Sequence, residues 1–403
     1  MSHHHEYQFL MRYHMNMSFS CKPTPALIFG MGYHRKLPDL VTTFGKNLLL
    51  VVGGTSFLHG NDWPLLQAGL KELGVQIHIE QIEGEPSPQL IDAIWTRYPR
   101  NSIDCVLAIG GGSVLDGGKA ISAMLMERKP VYTFLEGVGT EKPSGAKVPF
   151  IAVPTTSGTG SEATSNAVLS QIGKKGFKKS LRHDNYVPNI AVIDPALTTS
   201  CPPGLTAACG MDTFSQLVEA YLSNNGSPFT DALALDGIRA VARSLPVACR
   251  NGADLTARAD MSYGSYLSGI VLANAGLGVV HGMASALGGF FAIPHGAACA
   301  LLMAPANRLT LTRLRENGSD EKSLSKYSQL GEIIADCPLP AADGQDRFIG
   351  YLEELAVELG IGGLHDFGVT AGDIDRIIAE STSKYNPVQL EHADFTAVLK
   401  EIL

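Results

Sequence analysis

CVLAIG, residues 105–110, runs directly into GGSVLDGGKA, residues 111–120, and the reading of this junction decides the fold class. The short apolar run has the composition of a fully buried strand, and the segment behind it has helical spacing. Between them Gly110, Gly111 and Gly112 let the backbone approach a pyrophosphate closely. Ser113, Asp116 and Lys119 follow on a helix whose free N–H groups and positive dipole end would face that anion. Taken alone, the turn is weak evidence and more often a simple tight connection, and its spacing departs from GxGxxG.

Outward from this junction the same alternation repeats. NLLLVV (47–52), VQIHIE (75–80), PFIAVP (149–154) and NIAVID (189–194) read as strands, with amphipathic segments such as WPLLQAGLKELG and PQLIDAIWTRYP between them. Strands separated by helices imply right-handed crossovers and a parallel, doubly wound sheet. After Pro195 the pattern becomes long 3.6-period segments with no strand among them. The expected architecture is therefore a Rossmann-like α/β nucleotide-binding domain over 19–195 and an all-α metal-binding domain over 196–403. The His-rich start, residues 1–18, reads as a disordered extension or an expression remnant. A second turn, PTTSGTGSEATSN (154–166), follows another strand, and the carboxyl ends of parallel strands share one crevice, so both turns should line the same cleft.

Length and composition narrow the function classes. At 403 residues with 45% hydrophobic content, the chain can bury two cores. A formal charge of −8 and the lack of a long basic run argue against nucleic acid or a membrane surface as partner. KKGFKK (174–179) is the local exception, a phosphate contact or a solvated loop. The seven cysteines show no CxxC spacing and suit a reducing cytoplasm.

The second informative stretch is VVHGMASALGGFFAIPHGAACA (279–300). In one straight helix His281 and His295 would lie about 21 Å apart, too far to share an ion. Gly288, Gly289 and Pro294 supply a break, so the two imidazoles are expected on different helices facing one point. Asp212 and Gln216 lie four apart on one face of an earlier helix and can add oxygen ligands. Together these residues describe a divalent-metal site with one atypical ligand; singly, each histidine is more often a hydrogen-bonded core residue than a ligand.

In this order GGGSVLDGGK, PTTSGTGSEAT, GMDTFSQLVEAY (210–221) and HGMASALGGFFAIPHG (281–296) resemble the iron-containing (group III) alcohol dehydrogenase family, over about residues 20–400. The resemblance implies the fold shared with dehydroquinate synthase, in which an α/β and a helical domain enclose a deep cleft. It implies NAD or NADP on Gly110, Gly111, Gly112, Ser113, Asp116, Thr155, Thr156 and Thr159, with Lys178 reaching the ribose or phosphates. It also implies a divalent metal, Fe²⁺ or Zn²⁺, held by Asp212, Gln216, His281 and His295, of which Asp212, His281 and His295 carry catalysis. Two positions depart from the family: Gln216 replaces a histidine ligand, and Ser285 replaces a histidine near the nicotinamide. Gly53 and Gly54 stand where NAD-preferring relatives often carry an acid, which favours NADP(H) over NAD(H).

The expected activity is a metal-dependent, NAD(P)-linked interconversion of a small alcohol and its aldehyde or ketone, with Asn166 and Ser285 facing the substrate. A cytoplasmic homodimer is expected. The rivals are a nucleotide-binding protein with a decayed metal site, and a dehydroquinate synthase-like lyase, which would need a basic cluster near the metal motifs that the helical half lacks.

Overall fold

The structure, a computed structural model, describes residues 18–403 except 172, 174, 175 and 319. The expected N-terminal extension, apart from Ser18, and the lysines Lys174 and Lys175 of KKGFKK lie outside the described residues. The first half runs β1 (Ala26–Phe29), α1 (Leu37–Thr42), β2 (Asn47–Val52), α2 (Asp62–Glu72), β3 (Gln76–Gln81), α3 (Pro88–Trp95), β4 (Cys105–Gly110), α4 (Gly112–Glu127), β5 (Phe150–Pro154), β6 (Asn166–Gln171), β7 (Phe177–Arg182) and β8 (Ile190–Ile193). Six strands form one sheet in the order β1-β8-β5-β4-β2-β3, and all its pairs are parallel. β6 and β7 make a separate antiparallel hairpin.

Alternate residues of each sheet strand feed opposite cores, as the two-residue strand period requires. Leu49, Val51, Val106 and Ala108 pack with Leu115, Ile121 and Met124 of α4 on one face. Leu48, Leu50, Val52, Leu107 and Ile109 pack with α1 and α2 through Leu37, Val41, Leu66 and Leu70 on the other. Covering both faces explains why these strands read as unbroken apolar runs. Each fully buried Leu or Val contributes about 1.5–3 kcal/mol of transfer free energy.

The strand order reverses beside β2: its chain neighbour β3 lies on one side and β4 on the other. The carboxyl ends of β2 and β4 therefore splay apart, and a doubly wound sheet takes its ligand at such a switch point. Gly53 follows β2, and Gly110 ends β4 with Gly111 and Gly112 directly behind it.

The second half is helical: α5 (Pro203–Leu222), α6 (Pro228–Arg250), α7 (Leu255–Ala275), α8 (Val279–Phe290), α9 (His295–Asn317), α10 (Glu321–Ala335), α11 (Ala341–Glu358), α12 (Ile374–Glu380) and α13 (His392–Glu401). Its core centres on α5, where Phe214, Leu217 and Val218 are fully buried among residues such as Val280, Met283, Leu287 and Leu302. No single helix among the described residues is long and apolar enough to cross a membrane. α7 and α8 pass that test only as a pair, bent by 99°, and both are largely buried in this core.

The break between the two histidines is narrower than the sequence suggests. Gly288 and Gly289 stay within α8, and the chain leaves the helix only over 291–294, with Pro294 capping α9. His295 is the first residue of α9.

Candidate functional site

A cleft of about 690 Å³ opens at the switch point, lined by Gly53, Gly110–Ser113, Thr155, Thr156 and Thr159, with Asp212 and His295 on the opposite wall. α4 starts at Gly112 with no side-chain cap, which leaves its N-terminus suited to an anion. Only glycine fits at 112, because a Cβ there would collide with Oγ1 and Cγ2 of Thr159.

A buried polar network locks this loop to the 154–166 turn. The Lys119 ammonium donates to the Ser161 carbonyl (2.9 Å), the Asn166 carbonyl (2.7 Å) and Oγ1 of Thr164 (3.1 Å). Asp116 accepts from Ser161 Oγ at 2.5 Å and from the Val168 N–H at 3.0 Å. Burial pulls Lys119 down to about 8, against the charges of Asp116 and Glu162, and pushes Glu162 up to about 7. Thr213 continues the connection into α5 by donating to the carbonyl of Gly158 at 2.9 Å.

Next to Thr213 lies the second constellation. Asp212 on α5, His281 on α8, and His295 and Cys299 on α9 bring one donor atom each to within 4.8 Å of one another. Asp212 Oδ1 stands 3.2 Å from His281 Nε2 and 3.8 Å from His295 Nε2. Cys299 Sγ is 3.8 Å from Asp212 Oδ1, from His281 Nε2 and from His295 Nε2. α9 reaches this position because Gly296 presses against the Ala208 carbonyl of α5, where a Cβ would not fit. Glu219 holds the other side of His281, its carboxylate 2.6 Å from Nδ1 while it also accepts the Val280 N–H at 2.6 Å. That contact fixes the ring so that Nε2 faces Asp212, the carboxylate–histidine support usual behind metal ligands.

Burial raises the Asp212 carboxyl, but the facing imidazoles and the Gln216 amide hold it below its ordinary value overall. His281 is raised well above its ordinary value, because burial is outweighed by Cys299, Asp212 and Glu219. Cys299 is lowered in turn, burial being overcome by the two imidazoles. Asp212, His281 and Cys299 thus favour their charged forms together.

A second, smaller cavity of about 290 Å³ adjoins the first, lined by Asn166, Gln216, His281 and Ser285 among others. It shares Glu85, Gly112, Ser113, Thr159, Asp212 and His295 with the larger cleft. Asn166 Oδ1 and His295 Nδ1 are buried with no hydrogen-bond partner among the described residues.

Four of the expected positions make contacts that the sequence does not announce. Asp116 is turned beneath the glycine loop into the polar network and borders the smaller cavity rather than the larger cleft. Lys178 pairs with Glu85 at 3.0 Å and lines the smaller cavity together with Gly112 and Ser113 of the glycine loop. Gly54 does not line the cleft; it turns the chain out of β2 at φ +48°, with its carbonyl held by Gln81. Gln216 donates its amide N–H to Asp212 at 2.9 Å and offers its carbonyl to Ser268 at 2.6 Å. Glu219 and Cys299 went unread, although both signals stand in the sequence: Glu219 is seven residues after Asp212, and Cys299 four after His295, each a same-face helical spacing.

The chain matches known proteins over nearly its whole length. Residues 23–195 match the family described as iron-containing alcohol dehydrogenase, and residues 206–403 match the C-terminal region of the Fe-containing alcohol dehydrogenase family. A 1,3-propanediol dehydrogenase of Klebsiella pneumoniae is 31% identical over 384 residues, which cover 90% of this chain and 96% of that protein. An NAD-dependent methanol dehydrogenase of Bacillus methanolicus is 29% identical, over 94% and 98% of the two chains. The crystal structure of a 1,3-propanediol oxidoreductase superposes with a TM-score of 0.86 at 28% identity, covering 96% of this chain and 100% of that one.

Proposed function

This chain belongs to the iron-containing alcohol dehydrogenase family and is an oxidoreductase, and from that premise we propose that it interconverts a small alcohol and its aldehyde or ketone in the smaller cavity adjoining the nucleotide cleft. One observation carries the reading: the glycine-loop floor and the donors Asp212 and His295 border both cavities, so nucleotide and substrate can meet over the cluster.

Asp212, His281 and His295 would hold a divalent ion, and their donor types and spacing fit one. When bound, that ion supplies Lewis acidity for the substrate oxygen, and the nicotinamide gives or takes the hydride. The chain's own residues set the stage. Gly110–Ser113 and the N-terminus of α4 seat the pyrophosphate, with Thr155, Thr156 and Thr159 on the facing wall. Glu219 keeps the His281 ring in one orientation. Asn166 Oδ1, buried without a partner, accepts a hydroxyl hydrogen from the substrate. Ser285 Oγ, where the family often has a histidine, passes the proton outward along the cavity wall. Asp116, Lys119 and Lys178 hold the loops in register rather than touching nucleotide.

The uncharged Gly53 on the cleft wall supports NADP(H) over NAD(H), although one relative is named for NAD dependence. A homodimer in the cytoplasm, with the domain boundary near residue 195, completes the reading; the unpaired cysteines support a reducing compartment. The decayed-site alternative loses ground because the metal donors are retained and converge, and the lyase alternative because both halves of the chain match the alcohol dehydrogenase family. The test is a panel of aldehydes of increasing length with NADPH and NADH under metal-replete conditions. Short aldehydes should be reduced, and absence of turnover with every pairing would overturn the proposal.

A further inference from the structure

We infer that Cys299 is the fourth ligand of this centre, taking over from the histidine that Gln216 replaces, and that the resulting Asp/His/His/Cys set favours thiophilic zinc over iron. The inference rests on the metal-dependent reading above and deepens it.

The geometry is that of a small tetrahedron. Around an ion bound at about 2.0–2.3 Å, tetrahedral donors stand about 3.3–3.6 Å apart. Five of the six donor separations here lie between 3.2 and 3.8 Å, and Cys299 takes part in three of them. Gln216 cannot supply the fourth donor as it stands: its carbonyl faces Ser268 and its N–H₂ faces Asp212, which makes it a positioning residue for the carboxylate. Cys299 has no competing role. Its side chain is fully buried, and among the described residues its side-chain hydrogen-bond partners are the three other donors.

Charge and access point the same way. One carboxylate and one thiolate with two neutral imidazoles balance a divalent cation, which a buried site requires more strictly than an exposed one. Both cavities reach the cluster from the Asp212 and His295 side and neither touches Cys299, so the thiolate would close the back of the site and a substrate oxygen would enter from the front as a fifth ligand. Thiolate donors select zinc among the divalent ions that imidazole and carboxylate also bind.

The experiment is cobalt(II) substitution of the full-length, metal-stripped protein, read by absorption. With about one cobalt bound per chain, the wild type should show a thiolate-to-cobalt charge-transfer band in the near ultraviolet, which oxygen and nitrogen donors do not give. Cys299→Ser should lose the band, keep binding cobalt, and bind zinc more weakly by at least about tenfold, the lower bound for loss of even an outer-sphere partner. Its zinc-to-iron(II) affinity ratio should fall as well. Cys209→Ser, at the cysteine lining the larger cleft, should keep the band. The wild-type spectrum decides even if Cys299→Ser does not fold. One bound cobalt without the band, or a band that survives Cys299→Ser, overturns the assignment while leaving the metal-dependent reading intact. No cobalt bound at all overturns both.

Discussion

At the sheet edge, Gly53, Gly110–Gly112 and Thr155–Thr159 each follow their own strand within a few residues, so sequence order nearly dictates their place in space. In the helical half, Asp212 meets His281 across 69 residues and Cys299 across 87, and three helices must pack correctly before any of these donors has a neighbour. The first region is a local device mounted on a rigid sheet; the second exists only as tertiary structure. They should therefore respond separately to mutation even though they share cavity walls.

The largest separation is expected at the donors. Asp212→Ala or His281→Ala should lower turnover by about 10³-fold or more, the several kcal/mol that Lewis-acid stabilisation is worth. Nucleotide affinity, followed by fluorescence titration, should move by no more than about twofold. A collapse of both together would show that the two regions are one unit. Next in size is Glu219→Gln, which keeps the shape behind His281 but removes the anionic acceptor. Metal affinity measured by chelator competition should fall about 10- to 100-fold, and an unchanged affinity would mean that the Glu219 contact does not orient the ring.

The same contrast governs what the sequence reveals. β2, β4, β5 and β8 are legible because both faces of the sheet are covered and the strands are apolar throughout. β1, whose first two residues are exposed, and the β6–β7 hairpin, whose second strand reads FKKSLR, carry no such run and are not legible. Asp212, His281 and His295 can be read from their spacing and from Pro294, which forces the chain to change direction. Cys299 stays hidden behind a search for CxxC pairs. Gln216 looks like a ligand because i, i+4 spacing aims it at Asp212, but spacing says nothing of Ser268, which arrives from α7 and takes the carbonyl.

The nucleotide edge can be perturbed in the opposite sense. Gly112→Ala forces a methyl group against Thr159, so nucleotide binding should weaken about tenfold or more, from 1–3 kcal/mol of overpacking. Metal stoichiometry should not change; loss of metal from this variant would break the comparison. Gly53→Asp should weaken NADPH about tenfold more than NADH, since about 1–4 kcal/mol of repulsion is available to a 2′-phosphate nearby. Equal losses would show that this turn does not face the ribose. Because a Cβ at 53 would already sit 2.9 Å from Val114 Cγ2, Gly53→Ala serves as the steric control.

The smallest effect concerns a joint beside the cleft. His34 bridges Asp194 (2.5 Å) and Asp62 (3.1 Å), and its pKa is raised above 6.5, the Asp194 hydrogen bond outweighing burial. A raised folded-state pKa gives stability that is complete below the unfolded value and fades as pH rises through the folded one. His34→Asn should therefore lower the melting temperature more at pH 6 than at pH 9. A gap that stays constant with pH would mean that the pair contributes nothing through its charge.

The central claim is that the donors around Asp212 hold one catalytic ion. The direct measurement is activity of metal-stripped wild-type protein as zinc or iron(II) is added back, with bound metal determined at each step. Activity should be abolished by stripping and should rise linearly to a plateau at one ion per chain, with no recovery in Asp212→Ala. Full activity surviving exhaustive chelation, with no metal remaining in the protein, would contradict it.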